Sequence, residues 1–345
     1  AAAFWGIEVR SLSSGRTLYS RNAEKAFRPA SNLKLVTTAA ALDAFGPDAR
    51  IRTTVETAGR LDVMGRILGD VFLVGRGDLR VDATVADVLP ETAGTSWADA
   101  TVQHLLDMRT GTRFSEVYED TEGDMARYGM ASGMGPSFDP DAPDTYGFLA
   151  DLENDREHGG HFDYRSVVTS MLGWVVERAG GTRLPDLIGR ELWAPMGAEV
   201  EASIALDRSG AAMAAGGMCS SLRDLARFGQ VWARGGRGPD GRQLVPAAWV
   251  ADTIAGAHDG AEAYAAGTEE SNPGFPNSHY RNKWWVFDPD TPFFSAIGIQ
   301  GQYAAVHPPS DTVIAKFSSL PVADDPELEM LQLSGFAAIV GALEG

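Results

Sequence analysis

Strand-like alternation marks both ends of this chain and helical periodicity fills the middle, and that order constrains the fold more than any other feature. Trp5-Gly6-Ile7-Glu8-Val9-Arg10-Ser11-Leu12 alternates, Ser13-Ser14-Gly15 supplies a turn, and Arg16-Thr17-Leu18-Tyr19-Ser20 alternates again, which predicts an antiparallel hairpin over residues 4–22. Short strands joined by glycine-rich turns are expected at 51–55 and 71–75. The spacing then turns helical, most clearly at 102–108, 166–179, 185–192, 222–234 and 246–254. Strands return at 293–298, 302–307 and 312–318, before a closing helix over 327–343. A sheet supplied from both ends of a chain, with helices between, is an α+β arrangement. Residues 1–80 and 290–345 are expected to form an α/β region around a central antiparallel sheet flanked by helices. Residues 81–289 form an inserted, mostly helical region, with a cleft between the two. Within the insert, residues 115–163 are rich in Gly, Asp and Pro, a longer loop region than a compact domain tolerates without a use for it.

With 345 residues, 44% of them hydrophobic, the chain can bury a full core unaided. A formal net charge of -18 argues against nucleic acid and anionic membrane as partners, because both would repel such a surface. No apolar run reaches the length of a membrane span. The first residues, Ala1-Ala2-Ala3-Phe4-Trp5, lack the charged and apolar regions of a signal peptide, so a cytoplasmic location is expected, or a periplasmic or secreted one if a signal has been removed. Cys219 is the single cysteine, which excludes an intrachain disulfide and reads as a buried thiol. His158-Gly159-Gly160-His161 lacks helical spacing and a carboxylate pair, and reads as a solvated loop. Asp139-Pro140-Asp141 and residues 151–155 are acidic loops without the EF-hand pattern, and Gly75-Arg76-Gly77 is too short for a nucleotide fingerprint. No metal and no cofactor is expected. The remaining partner class is a small amide or ester substrate, and these readings leave room for a homodimer.

Ser31-Asn32-Leu33-Lys34 opens an apolar helix and places a hydroxyl and an amine three residues apart, on one helical face. An S-x-x-K arises about once by chance in a chain of this length. The setting makes this one informative: only four lysines (Lys25, Lys34, Lys283 and Lys316) stand among 29 basic residues, so a lysine in an Ala/Leu/Val/Thr helix is not ordinary surface charge. Burial would lower its pKa and fit it to take the proton of Ser31, while backbone N–H groups at the helix start suit a developing oxyanion. The alternative is a capping serine beside a snorkelling lysine. No G-x-S-x-G elbow offers a rival serine.

These residues resemble the serine penicillin-recognising superfamily, whose S-x-x-K carries an acyl-serine mechanism. Trp5-Gly6-Ile7-Glu8-Val9, Leu18-Tyr19-Ser20-Arg21-Asn22, Pro29 to Leu42 and Gly69-Asp70-Val71-Phe72-Leu73-Val74-Gly75 resemble the start of a D-alanyl-D-alanine carboxypeptidase. From residue 81 onward the chain resembles the 6-aminohexanoate-dimer (nylon oligomer) hydrolases and class C β-lactamase-like esterases. Val81 to Glu91, Leu105 to Gly111, Leu172 to Arg178 and Gly298-Ile299-Gln300-Gly301-Gln302-Tyr303 carry that likeness. Both groups imply one fold, the β-lactamase/transpeptidase fold.

The resemblance also implies site roles. Tyr164, in Tyr164-Arg165-Ser166, stands where a Y-x-S second motif places a proton relay, against the alternative of an aromatic helix cap. Gly298, Ile299, Gln300 and Gly301 stand where the third motif belongs, and the N–H of Ile299 would join that of Ser31 as an oxyanion hole, unless the glycines mark only a bend. Ser166 and Tyr118 would contribute to substrate binding, Tyr118 as the loop tyrosine that assists amide cleavage. Trp284-Trp285 would line the acyl pocket or fill the core. The K-T-G itself is absent, since Lys316 precedes Phe317 and Lys283 precedes Trp284. That absence favours a serine hydrolase of small amides or esters over a carboxypeptidase or β-lactamase, and leaves open a catalytically silent binding protein of the same fold.

Overall fold

The structure, a computed structural model, describes residues 4–45, 80–135, 141–267 and 277–344. Between 46 and 79 it describes the backbone of four short strands, of which Thr54–Glu56 pairs antiparallel with Phe72–Val74, and Arg60–Leu61 with Ile67–Leu68. Gly75-Arg76-Gly77 and Asp139-Pro140 lie outside the described residues.

Seven strands form the central sheet: β1 (Trp5–Ser11), β2 (Thr17–Arg21), β3 (His279–Arg281), β4 (Trp284–Asp288), β5 (Phe293–Gly298), β6 (Gln302–His307) and β7 (Thr312–Ser318), in the order β3-β4-β5-β6-β7-β1-β2. Every neighbouring pair is antiparallel, and the join between the two chain ends is β1 on β7, in register from Trp5 opposite Ser318 to Ser11 opposite Thr312. The helices that position the site are α1 (Leu33–Phe45), α2 (Val102–Leu106), α3 (Ser166–Gly180), α4 (Leu222–Ala233) and α5 (Pro326–Glu344).

Two helices sandwich the sheet. α4 starts at Ser221, whose hydroxyl accepts the Asp224 N–H at 3.1 Å, and turns Leu225, Phe228, Val231 and Trp232 into the main core. Its Gly229 lets the helix lie against β7, where a Cβ would meet Val313 Cγ1 at 2.7 Å. α5 covers the opposite face, packing Leu333 and Phe336 over Val9, Tyr303 and Ile314. Covered on both faces, β7 is buried along nearly its whole length, as a central strand requires. α3 is the buried axis of the helical region. Eleven of its residues are buried, from Ser166 to Ala179, and Gly181 closes it at φ +59°.

Some local readings are corrected. The sheet resumes at His279, ahead of residue 290, through a β3–β4 hairpin whose two-residue turn is Asn282 (φ +53°) and Lys283 (φ +73°). The helical insert also contains Ser203–Ile204 paired with Met218–Ser221. The helix expected at 185–192 is one α-turn, Leu184–Leu187, that widens into a π-turn at Ile188–Trp193. Cys219 is half-buried. His158 is not solvated: its side chain is 3% exposed, its Nδ1 accepts the Gly111 N–H at 2.9 Å, and the tautomer this fixes lets Nε2–H donate to Ser96 O at 3.0 Å.

Candidate active site

Ser31 sits in a tight turn, Ala30–Asn32, that runs directly into α1. The turn is held in an uncommon shape, because Ala30 has φ +48°, a left-handed conformation that costs a residue with a Cβ about 1 kcal/mol. Two glycines enclose it: a Cβ on Gly298 would meet Pro29 O at 2.8 Å and Ala30 Cβ at 3.0 Å, and one on Gly216 would meet the Ala30 carbonyl carbon at 3.4 Å. Gly298 therefore presses the end of β5 against the residues before the hydroxyl.

One helical turn on, Lys34 is buried, 1% exposed. Its Nζ lies 2.8 Å from Ser31 Oγ, 2.9 Å from Ala215 O and 3.4 Å from Ser166 Oγ. Burial lowers its pKa from 10.5 to about 8, against an opposing pull from the negative charge of Glu116. The three contacts serve either charge state: the ammonium donates to all three oxygens, and the neutral amine keeps its N–H bonds to Ala215 O and Ser166 Oγ and turns its lone pair to the Ser31 hydroxyl proton.

Tyr164 stands above this pair, with Lys34 Nζ 4.9 Å from its ring centroid. The ring is fixed by aromatic packing, stacked on Trp285 at 5.8 Å and edge-on to Tyr280 at 6.3 Å. Behind it lies Glu116, which no sequence pattern singled out. Its carboxylate accepts the Ser166 N–H at 2.9 Å, the Ser166 hydroxyl at 2.6 Å and the Tyr118 hydroxyl at 2.9 Å. It thereby ties the loop before residue 120 to the first residue of α3. Burial first, and then the Glu116 charge, keep the Tyr118 phenol well above its ordinary pKa, so it is a hydroxyl donor at neutral pH.

A cleft of about 450 Å³ opens over Ser31. Tyr164 and Tyr264 from the helical region and Trp285 from β4 make an aromatic wall, and Gly298, Ile299 and Gly301 line the cleft at the end of β5. Tyr118 and Phe287 also border the cleft, whereas Trp284 is in the core. The structure thus brings Ser31, Lys34, Tyr164, Ser166, Tyr118 and Ile299 to one place. Ser166 is buried beneath the cleft surface, 4% exposed, and Gln300 is turned to solvent and does not line it. Lys283 and Lys316 do not line it either. Lys283 is buried with its Nζ on Leu105 O, and Lys316 Nζ donates to Gly301 O on the α5 side. Among the described residues no group of His, Cys, Asp and Glu is placed to hold a metal, and no helix is long and apolar enough to cross a membrane.

Comparison with known proteins decides the family. The beta-lactamase family model matches residues 68–335. The chain belongs to the beta-lactamase family. The D-Ala-D-Ala carboxypeptidase 3 (S13) family matches residues 1–97, so the S-x-x-K of this beta-lactamase-family chain falls in the second match and the rest of the site in the first. Over 269 residues, 78% of the chain, it is 34% identical to the 6-aminohexanoate-dimer hydrolase of Paenarthrobacter ureafaciens. It is 36% identical over 91 residues, 26% of the chain, to the D-alanyl-D-alanine carboxypeptidase of Actinomadura sp. (strain R39). It spans 66% and 17% of the lengths of these two relatives. A Bacillus anthracis structure named as a candidate 6-aminohexanoate-dimer hydrolase superposes with a TM-score of 0.78 at 23% identity, covering 98% of this chain and 79% of that one. A family VIII carboxylesterase superposes at 0.61 and 14%, covering 93% and 89%. At these identities the likeness shows the fold, the β-lactamase/transpeptidase fold expected from the sequence.

Proposed function

We propose that this chain is a serine hydrolase that cleaves a small amide or ester through an acyl-enzyme, with Ser31 as nucleophile, Lys34 as its base and Tyr164 as proton relay. The observation that carries the proposal is the contact between Ser31 Oγ and a buried lysine amine, 2.8 Å apart. Neutral Lys34 takes the hydroxyl proton as Oγ attacks the carbonyl carbon. The carbonyl oxygen becomes an oxyanion, held by the N–H groups of Ser31 and Ile299, for which no acceptor exists among the described residues. Collapse breaks the C–N or C–O bond, and the proton passes from Lys34 by way of the Tyr164 hydroxyl to the leaving amine or alkoxide. Water then repeats the sequence on the acyl-serine and releases the acid.

Two features support a plain amide or ester of the 6-aminohexanoate-oligomer kind over a D-Ala-D-Ala peptide or β-lactam. The named relative that aligns with most of the chain hydrolyses the 6-aminohexanoate dimer, and neither Lys283 nor Lys316 is free to hold a substrate carboxylate at the cleft.

Intact-mass measurement after exposure to a fluorophosphonate tests the nucleophile. One adduct is expected on the parent chain and none on Ser31→Ala; labelling that persists in the variant refutes the assignment. Turnover of 6-aminohexanoate dimer and short p-nitrophenyl esters is expected to exceed that of nitrocefin and D-Ala-D-Ala peptides. A chain that takes no adduct and turns over none of these is a binding protein.

A further inference from the structure

Behind the β5–β6 turn, between it, β7 and α5, lies a saturated polar network. Gln300 (φ +61°) and Gly301 (φ +81°) are both left-handed, so the turn exposes three carbonyls in succession toward β7 and α5. Side chains take all three. One Gln302 Nε2 hydrogen donates to Ser318 O at 2.6 Å and the other is shared between Ile299 O and Gln300 O, each at 3.2 Å, while its Oε1 accepts the Ser318 N–H at 3.1 Å. Ser318 Oγ donates to Gln300 O at 2.6 Å, and Lys316 Nζ donates to Gly301 O at 2.9 Å, to Ser318 Oγ at 3.0 Å and to Gln332 Oε1. Lys316 has three N–H donors and all three are used. The backbone of the turn is fixed from the other side too, because Gln300 N–H donates to Ala323 O at 2.8 Å. No residue but glycine fits at 301, where a Cβ would meet Ser318 Oγ at 2.5 Å and Gln332 Oε1 at 2.9 Å.

A peptide unit whose carbonyl and following N–H are both held cannot rotate. The Ile299–Gln300 peptide is such a unit; the Ile299 N–H belongs to the peptide before it, which is held from its other end by the pairing of Gly298 with Gln302, so the clamp closes the remaining freedom at the Ile299 Cα between two held planes. We propose that Gln302, Ser318 and Lys316 are positioning residues that clamp the carbonyl side of the β5–β6 turn and so aim the Ile299 N–H at the oxyanion formed on Ser31. This rests on the reading of Ser31 as nucleophile and Ile299 as oxyanion donor. None of the three touches substrate: each acts through the turn. The burial of Gln302 (4%) and Ser318 (6%) beneath the strand ends means that no water replaces a lost donor cheaply.

The test is steady-state hydrolysis of p-nitrophenyl butyrate by Gln302→Leu and Ser318→Ala, together with inhibition by phenylboronic acid, whose tetrahedral adduct places an oxygen in the oxyanion position. Removal of an oxyanion donor costs about 100- to 1,000-fold in kcat. A misaimed one is expected to cost about tenfold in kcat, with KM within about twofold, and the phenylboronic acid Ki is expected to rise by the factor lost in kcat/KM. A merely structural role would lower the melting temperature and leave kcat and Ki of the folded fraction unchanged, which overturns the proposal. If Gln302→Leu fails to fold, Ser318→Ala, which removes one hydroxyl, decides. Failure of the underlying reading looks different, because the parent chain then forms no acyl adduct at all.

Discussion

Replacing Lys34 by methionine should make the folded chain more stable at neutral pH while ending its chemistry. An amine whose pKa falls from 10.5 to about 8 on burial is held at pH 7 mainly as an ammonium that the folded state disfavours. That difference is worth about 3 kcal/mol, since each pKa unit is about 1.4 kcal/mol. The folded chain binds its proton less tightly than the unfolded one, so stability attributable to this group rises as pH climbs from 8 to 10.5 and is lower by the full amount below 8. Methionine has the length of the lysine stem and no charge. Against the gain stands the carbonyl of Ala215, left without its donor at a cost of about 1–3 kcal/mol. A net gain of about 1 kcal/mol at pH 7 is expected. The sharper quantity is its pH dependence, for every other titrating group is common to both proteins and cancels in the difference. Urea unfolding of parent and Lys34→Met at pH 7, 8, 9 and 10 should show the advantage of the variant shrinking by about 1.4 kcal/mol per unit above pH 8 and reversing by pH 10. A difference that stays constant across that range would refute a lowered Lys34 pKa, and with it the amine as base. The same pKa makes about a tenth of Lys34 neutral at pH 7, roughly 300 times more than at an ordinary lysine pKa, and this is the gain in usable base that the burial provides.

Glu116→Gln removes the negative charge that raises the Lys34 pKa, so the acid limb of the kcat/KM–pH profile should move below pH 8, while the plateau falls because the amide oxygen still accepts the Ser166 and Tyr118 hydroxyls but the amide NH2 faces the Ser166 N–H in place of its acceptor. Tyr164→Phe keeps the stack on Trp285. Its melting temperature should barely change, whereas amide turnover should drop about 100-fold or more, and p-nitrophenyl ester turnover much less, since p-nitrophenolate leaves without a proton. Gly298→Val drives a side chain into Pro29 O and Ala30 Cβ, at 2.8 and 3.0 Å from the first added atom. Displacing the Ser31 turn by about 1 Å is expected to cost about 100-fold in acylation rate, read as the fluorophosphonate labelling rate.

Periodicity revealed the strands at 293–298, 302–307 and 312–318 to the residue, and the order of elements revealed a sheet drawn from both ends, because each of those segments is bounded by turn residues and packed as a regular strand. The β3–β4 hairpin stayed hidden for a physical reason. Its turn is Asn282-Lys283, where a glycine would have announced the left-handed pair, and a lysine tolerates φ +73° there while its Nζ reaches Leu105 O. The Ser31–Lys34 pair was legible because helix geometry converts a spacing of three into a contact. Tyr164 was legible only through resemblance, since nothing local ties it to a lysine on another helix. Glu116 was not legible at all. Its place comes from a loop folding back on the N-terminus of α3, and a lone glutamate among acidic loop residues carries no spacing that could foretell three hydrogen bonds. Lys316 and Gln302 belong to the same class, ordinary strand residues beside the β5–β6 turn, with nothing in their spacing to foretell the turn carbonyls they bond.

The two family matches overlap only from residue 68 to 97, yet the site draws on both sides of that join, with Ser31 and Lys34 from one and Tyr164, Glu116 and Ile299 from the other. What lets them meet is backbone, not shared side-chain motifs. β1 hydrogen-bonds to β7 over seven residue pairs, and a slip of one would turn Val9 from the core under α5 to the other face of the sheet, so the register is set by burial on both faces. Once set, β6 and β5 follow in sequence, and the end of β5 arrives at the Pro29–Ala30 turn at the distance that only a glycine at 298 accommodates. On the other side Lys34 reaches the carbonyl of Ala215 and the hydroxyl of Ser166, groups that any residue or a small one can supply. Ser31, as the proposed nucleophile, therefore requires of the rest of the chain a strand register, one glycine, one carbonyl and one hydroxyl. Requirements that sparse explain how the S-x-x-K segment and the remainder of the candidate site can resemble different relatives and still meet at one cleft.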